Sequence, residues 1–215
     1  MGVYRFDDFV IKPSEYPWGV SEMIIPAKVF FNHRFSSLTA YDSALISLLE
    51  GDGHEVDFAD TVPDITFEDY DILMIGAPDD DWVANHPQEA RIQDAQCHVI
   101  SFCRGVSRNA LALGGASGSQ VVTGFTLVNS HDHFTTQGGG NIDCGPSLST
   151  HRLSDLGSGV SLVYHNGEAG FAGFAYRKPQ EDQYYIHFGY HGIDQATDEL
   201  KELLLNTTAY LEGVF

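Results

Sequence analysis

The first half of the chain alternates short apolar runs with segments of helical periodicity, and this alternation limits the folds available to it. Apolar runs at 27–32 and 71–77 predict strands, and alternating polarity predicts another at 55–58. Helical spacing of apolar side chains predicts one helix around 41–49 and a longer one at 87–106. Strands that alternate with helices pair in parallel through right-handed crossovers, so this half predicts a doubly wound α/β sheet.

The second half has a different pattern. A fourth strand is predicted at 110–114, and further strand-like runs lie at 121–128, 160–165, 171–176 and 184–188. Glycine-rich or Asn-Gly turns separate the later runs, which favours antiparallel hairpins. A closing amphipathic helix begins near Asp194. We therefore expect a three-layer α/β sandwich, with a mostly parallel, flavodoxin-like sheet extended by antiparallel hairpins in the C-terminal half.

The ends and loops suggest how the chain is organised. Residues 1–25 show no clear periodicity and are predicted to form an extended N-terminal arm, followed by one α/β domain at 26–215. The segment 130–159 is rich in glycine and is predicted to be a long loop of functional interest.

Charge excludes some classes of partner. The chain has 30 acidic and 11 basic side chains and a formal net charge of −19. Such a surface repels phosphate backbones and anionic lipids, so neither nucleic acid nor a membrane is expected as a partner. An acidic, lysine-poor surface also suits a high-salt interior, which predicts a halophilic protein. We expect a soluble cytoplasmic domain, or an extracellular one if a signal or parent chain was removed, and it would be able to form oligomers.

Three phrases of the sequence resemble one superfamily. They are "FEDYDILMIGAP", "ISFCRGVSRN" followed by "ALALGG", and the ending "YYIHFGYHGIDQATDELKELLLNTTAYLEG". Over residues 26–213 the chain resembles the class I glutamine-amidotransferase-like superfamily. More narrowly, it is similar to the non-catalytic branch related to gliding-motility and intraflagellar-transport proteins, and to trehalose-utilisation-type domains.

The resemblance implies where a nucleophile would lie. Catalytic members carry Gly-x-Cys-x-Gly at a tight strand-to-helix turn. Following the predicted strand 110–114, the matching position is Ala116, which has no reactive atom. A one-residue shift would place Ser117 there, with His187 or His191 as the base that the family requires. Cys103 falls within the predicted helix 87–106, where it is expected to be a small buried hydrophobe.

Other clusters suggest ligands. His131 and His133 are two residues apart and would face the same side of a strand, so they are candidates to share a divalent metal. Asp79 and Asp80 follow the strand 71–77, where open α/β sheets bind ligands. No cofactor is otherwise expected.

These observations lead to two hypotheses. The first is a non-catalytic binding or assembly domain whose ligand lies near Asp79, Asp80, Ala116 and Ser117, and whose partner is a small molecule, a glycan or a protein. The second is a hydrolase or amidotransferase-like enzyme that uses Ser117, or a metal held by His131 and His133.

Overall fold

A computed structural model gives the architecture of the chain. It describes residues 10–11, 23–24, 26–33, 37–66, 68–76, 88–128, 134, 140–167, 170–190 and 192–212. Residues 10–11, 23–24, 116–123 and 146–150 are described by their backbone alone.

Helices and strands make up most of the described chain. The helices are α1 (Ala40–Asp52), α2 (Glu89–Asp94), α3 (Arg104–Asn109) and α4 (Asp198–Leu211). The strands are β1 (Val10–Ile11), β2 (Met23–Ile24), β3 (Lys28–Asn32), β4 (Glu55–Ala59), β5 (Ile72–Ile75), β6 (His98–Ser101), β7 (Gly115–Leu127), β8 (Ile142–Ser154), β9 (Ser161–Asn166), β10 (Ala172–Gln180) and β11 (Gln183–Phe188).

Strands β3 to β11 form one mixed sheet. Its order is β4-β3-β5-β6-β11-β10-β8-β7-β9, while β1 and β2 pair with each other as a separate two-stranded sheet. The ladders from β4 to β11 are parallel. Beyond β11 the ladders are antiparallel. The predicted α/β sandwich, with a parallel part extended by antiparallel strands, is therefore confirmed.

Neighbouring tyrosines on β11 show that helices cover both faces of the sheet. Successive side chains of a strand point to opposite faces. The Tyr185 hydroxyl donates to the carbonyl of Gln93 in α2, at 3.2 Å, whereas the Tyr184 and Tyr210 hydroxyls lie 3.2 Å apart, which places α4 on the opposite face. Helix α1 contacts α4 and therefore shares its side.

Strand β6 corrects the sequence interpretation of the middle of the chain. The predicted helix at 87–106 is two short helices with β6 between them, and the predicted strand at 110–114 is a loop after α3. Val99 and Ile100 fit helical spacing, but their β-branched side chains also favour a strand, and all four residues of β6 are buried. The fourth parallel strand thus ends at Ser101.

The C-terminal half corrects two further predictions. The glycine-rich segment at 114–119, predicted as a turn, is extended backbone, because β7 begins at Gly115 and pairs with β8 from Gly115↔Ser154 onward. Strand β8 also lies within the predicted long loop at 130–159. Since β9 pairs with both β7 and β10, these strands and β8 close into a ring.

Helix ends follow the sequence rules. Thr39 caps α1 in a reciprocal capping box with Asp42, and Gly53 ends it in the left-handed region at φ 103°. Helix α4 begins after Thr197 and packs its predicted apolar side chains on the sheet. No helix of the described residues has the length and apolar composition required to cross a membrane.

Glu212 makes the stability of the domain depend on pH. It follows the last residue of α4, and its Oε1 is buried with no hydrogen-bond partner in the described structure. Burial, followed by the charge of Asp71, raises its pKa from 4.5 to about 7. Between these values the folded state holds a proton that the unfolded state releases, so this group destabilises the fold progressively as pH rises from 4.5 to 7.

Glu212→Gln is therefore expected to remove this loss of stability between pH 4.5 and 7 and to stabilise the domain at pH 8. Urea unfolding of wild type and Glu212→Gln at pH 4.5 and pH 8 measures the difference in stability. Glu181→Gln, at an exposed turn, makes the same change of charge and serves as the control. Equal pH dependence in wild type and Glu212→Gln would contradict the assignment.

Candidate functional site at the carboxyl edge of the sheet

The parallel strands end level with one another, which defines the candidate site. In the ladders, Asn32 is paired with Ile75, Ile75 with Ser101, and Ser101 with His187. Residues that follow these four positions therefore meet at one edge. Open α/β sheets bind ligands beyond the carboxyl ends of their strands, so this edge is where a site is expected.

Cys103 occupies the strand-to-helix turn at this edge. Strand β6 ends at Ser101, and α3 begins at Arg104 with Cys103 as its N-cap residue. The sequence Ser101-Phe-Cys-Arg-Gly105 matches Gly-x-Cys-x-Gly at every fixed position except the first. The turn comparable to a nucleophile elbow thus lies at Cys103, not at Ala116, which is part of β7. The Cys-x-Gly spacing was visible in the sequence, but assigning 87–106 to one helix concealed it.

The Cys103 turn has an unstrained backbone, and its thiol is buried. Its backbone is extended, with φ −98° and ψ 122°, whereas a nucleophile elbow is a sharp, strained turn that exposes its nucleophile. Among the described non-glycine residues, positive φ occurs at Ala112 and Asp155. The Ser101 hydroxyl accepts from the Cys103 N–H at 3.2 Å and donates to its carbonyl at 2.9 Å. Cys103 itself is 1% exposed.

His187, a predicted base, is held in a buried network. Its Nε2 lies 3.2 Å from the His151 carbonyl and its Nδ1 lies 2.9 Å from the Ser107 Oγ. Because a carbonyl only accepts, Nε2 carries the proton and Nδ1 accepts from the serine hydroxyl. Burial lowers the pKa of the ring to about 4. Both ring nitrogens are therefore engaged within the structure, and the ring joins β11 to α3 and β8.

Gly189 lies against the same carbonyl. A Cβ added here would come within 2.2 Å of the His151 oxygen and 3.0 Å of the Gly173 oxygen. The Gly189 N–H donates to Gly173 at 2.7 Å, and its carbonyl accepts from the His151 N–H at 2.8 Å. The backbone around position 189 is packed so closely that no side chain fits there.

Polar atoms at the ends of β3 and β11 are buried without hydrogen-bond partners. At the end of β3, Asn32 is 1% and His33 is 8% exposed, and Asn32 Oδ1 and His33 Nδ1 have no partner in the described structure. The Asn32 Nδ2 donates to the Ala59 carbonyl, so the side-chain atom of Asn32 that lacks a partner is its Oδ1. Beyond β11, Tyr190 is fully buried, and its hydroxyl also has no hydrogen-bond partner in the described structure. Buried polar atoms of this kind call for a ligand or a bound water to complete their hydrogen bonding.

Several predicted site residues lie outside the described part of the chain. Asp79, Asp80, His131, His133 and His191 are not among the described residues. The roles proposed for them, including a metal at His131 and His133, stay predictions. Among the described histidines, cysteines and carboxylates, no group of three is arranged to hold a metal ion. Ala116 and Ser117 are described by backbone only, and ligand binding there also stays a prediction.

Comparison with known proteins gives matches by structure alone. No protein-family model matches the sequence, and no curated protein matches it. Similar solved structures include a protein described as a GMP synthase subunit from Thermoplasma acidophilum, with 13% identity and a TM-score of 0.60. The alignment covers 88% of this chain and 94% of that one.

Two further structures are similar. PurLQS from Thermotoga maritima is 13% identical, with a TM-score of 0.56 over 86% of this chain and 99% of that one. Alpha-L-fucosidase isoenzyme 2 from Paenibacillus thiaminolyticus is 17% identical, with a TM-score of 0.57 over 91% of this chain and 34% of that one. At such identities the likeness concerns the fold. The chain has the fold of class I glutamine-amidotransferase-like domains.

Proposed function

We propose that this chain is a ligand-binding domain that keeps the glutamine-amidotransferase-like fold without its thiol chemistry. The ligand would occupy the carboxyl edge of the parallel strands, beside Asn32, His33 and Tyr190. A small molecule is the partner that suits a set of separate buried polar atoms best.

The proposal rests above all on the Cys103 turn. A thiol nucleophile has to be reachable by substrate and to lie near a base that removes its proton. Cys103 is 1% exposed on an extended backbone. The buried imidazole of His187 is committed to Ser107 and His151. These features together oppose a catalytic role for the cysteine.

The binding role is supported by Asn32 Oδ1, His33 Nδ1 and the Tyr190 hydroxyl. Each buried polar atom without a partner costs about 1–3 kcal/mol of stability. Three atoms that have no partner among the described residues, all at one edge of the sheet, are therefore expensive to keep unless a bound molecule satisfies them. This cost is typical of binding sites, which give up stability for function.

A thiol hydrolase is the second candidate. The Ser-x-Cys-x-Gly spacing after the fourth parallel strand favours it, as does the structural likeness to a protein described as belonging to GMP synthase. In that case the turn would have to change conformation to expose Cys103.

Ammonia release from L-glutamine tests the proposal against this candidate. Wild type is expected to release no more ammonia than Cys103→Ala at equal protein concentration. Cys97→Ala removes a different buried thiol and controls for non-specific effects. Release that wild type and Cys97→Ala share and that Cys103→Ala lacks would overturn the proposal.

A further inference from the structure

Strand β4 forms the open edge of the nine-stranded sheet. It pairs with β3 on one side only, whereas the other end of the sheet closes into a ring because β9 pairs with both β7 and β10. An open edge is a row of backbone N–H and C=O groups on which another strand can pair. Within the described part of the chain, β4 is therefore the one place where this sheet can accept a further strand.

The register shows which backbone groups of β4 are available. The Glu55 N–H donates to the Ala27 carbonyl, just before β3, at 2.9 Å. Every second residue of a parallel strand bonds to the same neighbour, so Asp57 also directs its N–H and C=O groups to β3. The N–H and C=O groups of Val56 and Phe58 therefore point away from β3, and they have no hydrogen-bond partner among the described residues.

The side chains give β4 an acidic face and an apolar face. Successive side chains of a strand point to opposite faces, so Glu55 and Asp57 share one face while Val56 and Phe58 share the other. Both carboxylates are exposed, and Asp57 Oδ2 is held by the Tyr70 hydroxyl at 2.8 Å. The Phe58 side chain is 47% exposed. The edge thus combines unpaired backbone groups with two exposed carboxylates and an uncovered aromatic ring.

The charge of this edge selects among the strands that could pair with it. Directly opposite side chains of two paired strands share a face and lie about 4.5–5.5 Å apart, and like charges there are destabilising. A second copy of β4, paired antiparallel along its full length, would place Asp57 against Asp57. Neither Glu55 nor Asp57 forms an ion pair with a basic side chain in the described structure. A strand with basic side chains opposite the two carboxylates supplies the charge that the edge lacks.

We propose that the β4 edge binds an extended segment of a partner protein in which basic side chains alternate with apolar ones. The segment adds to the sheet as a further strand, held by backbone hydrogen bonds to Val56 and Phe58. Its basic side chains lie opposite Glu55 and Asp57, and its apolar side chains lie on the face of Phe58. This interaction goes beyond the proposed ligand-binding function, because it uses the side of the sheet and not the carboxyl ends of its strands.

Two peptides test the charge pattern in the ¹⁵N-labelled protein at low salt. The probe acetyl-Lys-Val-Lys-Val-Lys-amide is expected to produce saturable shifts in the backbone amide signals of Val56 and Phe58, and acetyl-Glu-Val-Glu-Val-Glu-amide is not. Glu55→Lys is expected to weaken the affinity for the lysine peptide about tenfold, because an attractive pair becomes a repulsive one. Glu181→Lys makes the same charge change at the distant turn between β10 and β11 and should leave that affinity unchanged.

Backbone methylation separates strand addition from attraction to the net charge of −19. One form of the lysine peptide carries N-methyl groups on its valines, and the other carries them on its lysines. Only alternate N–H groups of an added strand face β4, so one form is expected to lose binding and the other to keep it. Loss or retention of binding in both forms would overturn the proposal, as would the absence of saturable shifts with the lysine peptide.

A dilution series of the protein alone tests whether a second copy occupies the edge. The amide signals of Val56 and Phe58 are expected to stay unchanged from micromolar to millimolar protein. Concentration-dependent shifts confined to β4 would show that the edge pairs with another copy and would overturn the proposal. Peptide binding and ammonia release are independent measurements, so failure of this proposal is distinguishable from failure of the proposed function.

Discussion

Gly189→Ala is expected to destabilise the domain by about 3 kcal/mol or more, because its added Cβ would overlap backbone atoms. The added Cβ would lie 2.2 Å from the His151 carbonyl oxygen and 3.0 Å from the Gly173 oxygen, and both obstacles are backbone atoms. Backbone cannot rotate away as a flexible side chain can. The strand ends of β8, β10 and β11 would therefore have to separate.

Urea unfolding monitored by circular dichroism measures this effect. Gly140→Ala is the matched control, because a Cβ there meets nothing within 4 Å. It is expected to change stability by less than about 0.5 kcal/mol. If Gly189→Ala unfolds at the same urea concentration as wild type, the close backbone packing described around Gly189 is wrong.

His187→Ala is expected to cost about 3–5 kcal/mol. It leaves a cavity at a fully buried position, and it removes the partner of the Ser107 hydroxyl. Ser107→Ala removes only the hydroxyl that donates to Nδ1 and should cost about 1–3 kcal/mol. Urea unfolding at pH 7 measures both variants, and a smaller loss for His187→Ala than for Ser107→Ala would contradict the network.

The same histidine gives a pH signature. Its pKa falls from 6.5 to about 4 on folding, so the unfolded state binds a proton between these values that the folded state does not. The stability from this group is complete above pH 6.5 and is lost as pH falls toward 4. In His187→Ala this loss should disappear. NMR of the ring protons measures the pKa of His187 in the folded protein. A value near its ordinary 6.5 would contradict its burial.

The sequence predicted the parallel half best where local signals agreed. Thr39 and Gly53 have the side chain and the backbone freedom that helix caps require, and both cap α1. Strand β6 was missed because the apolar residues of β6 and of the two short helices beside it follow one continuous helical spacing. Only the pairing of β6 with β5 and β11, which is a tertiary interaction, distinguishes the two interpretations.

That misassigned strand also displaced the predicted site. With the fourth strand placed at 110–114, the glycines that follow it resemble a nucleophile turn, and Ala116 falls on its apex. The structure places Gly115 in β7, where an added Cβ would come within 3.1 Å of the Ser154 Oγ and 3.2 Å of its carbonyl oxygen. The buried atoms of Asn32, His33 and Tyr190 that lack a partner among the described residues had no sequence signal, because burial and hydrogen bonding are properties of the folded chain.

Alkylation of Cys103 by iodoacetamide, followed by peptide mass spectrometry in native buffer and in urea, tests most directly whether this thiol is withdrawn from chemistry. The closed turn predicts that Cys103 reacts about a thousandfold or more slowly in the native protein, because reaction would require unfolding of a domain stable by at least about 5 kcal/mol. Cys97 and Cys144 supply an internal comparison, since burial raises the pKa of both thiols to about 12. A native Cys103 that reacts as fast as the unfolded one, while Cys97 and Cys144 stay unmodified, would contradict the account.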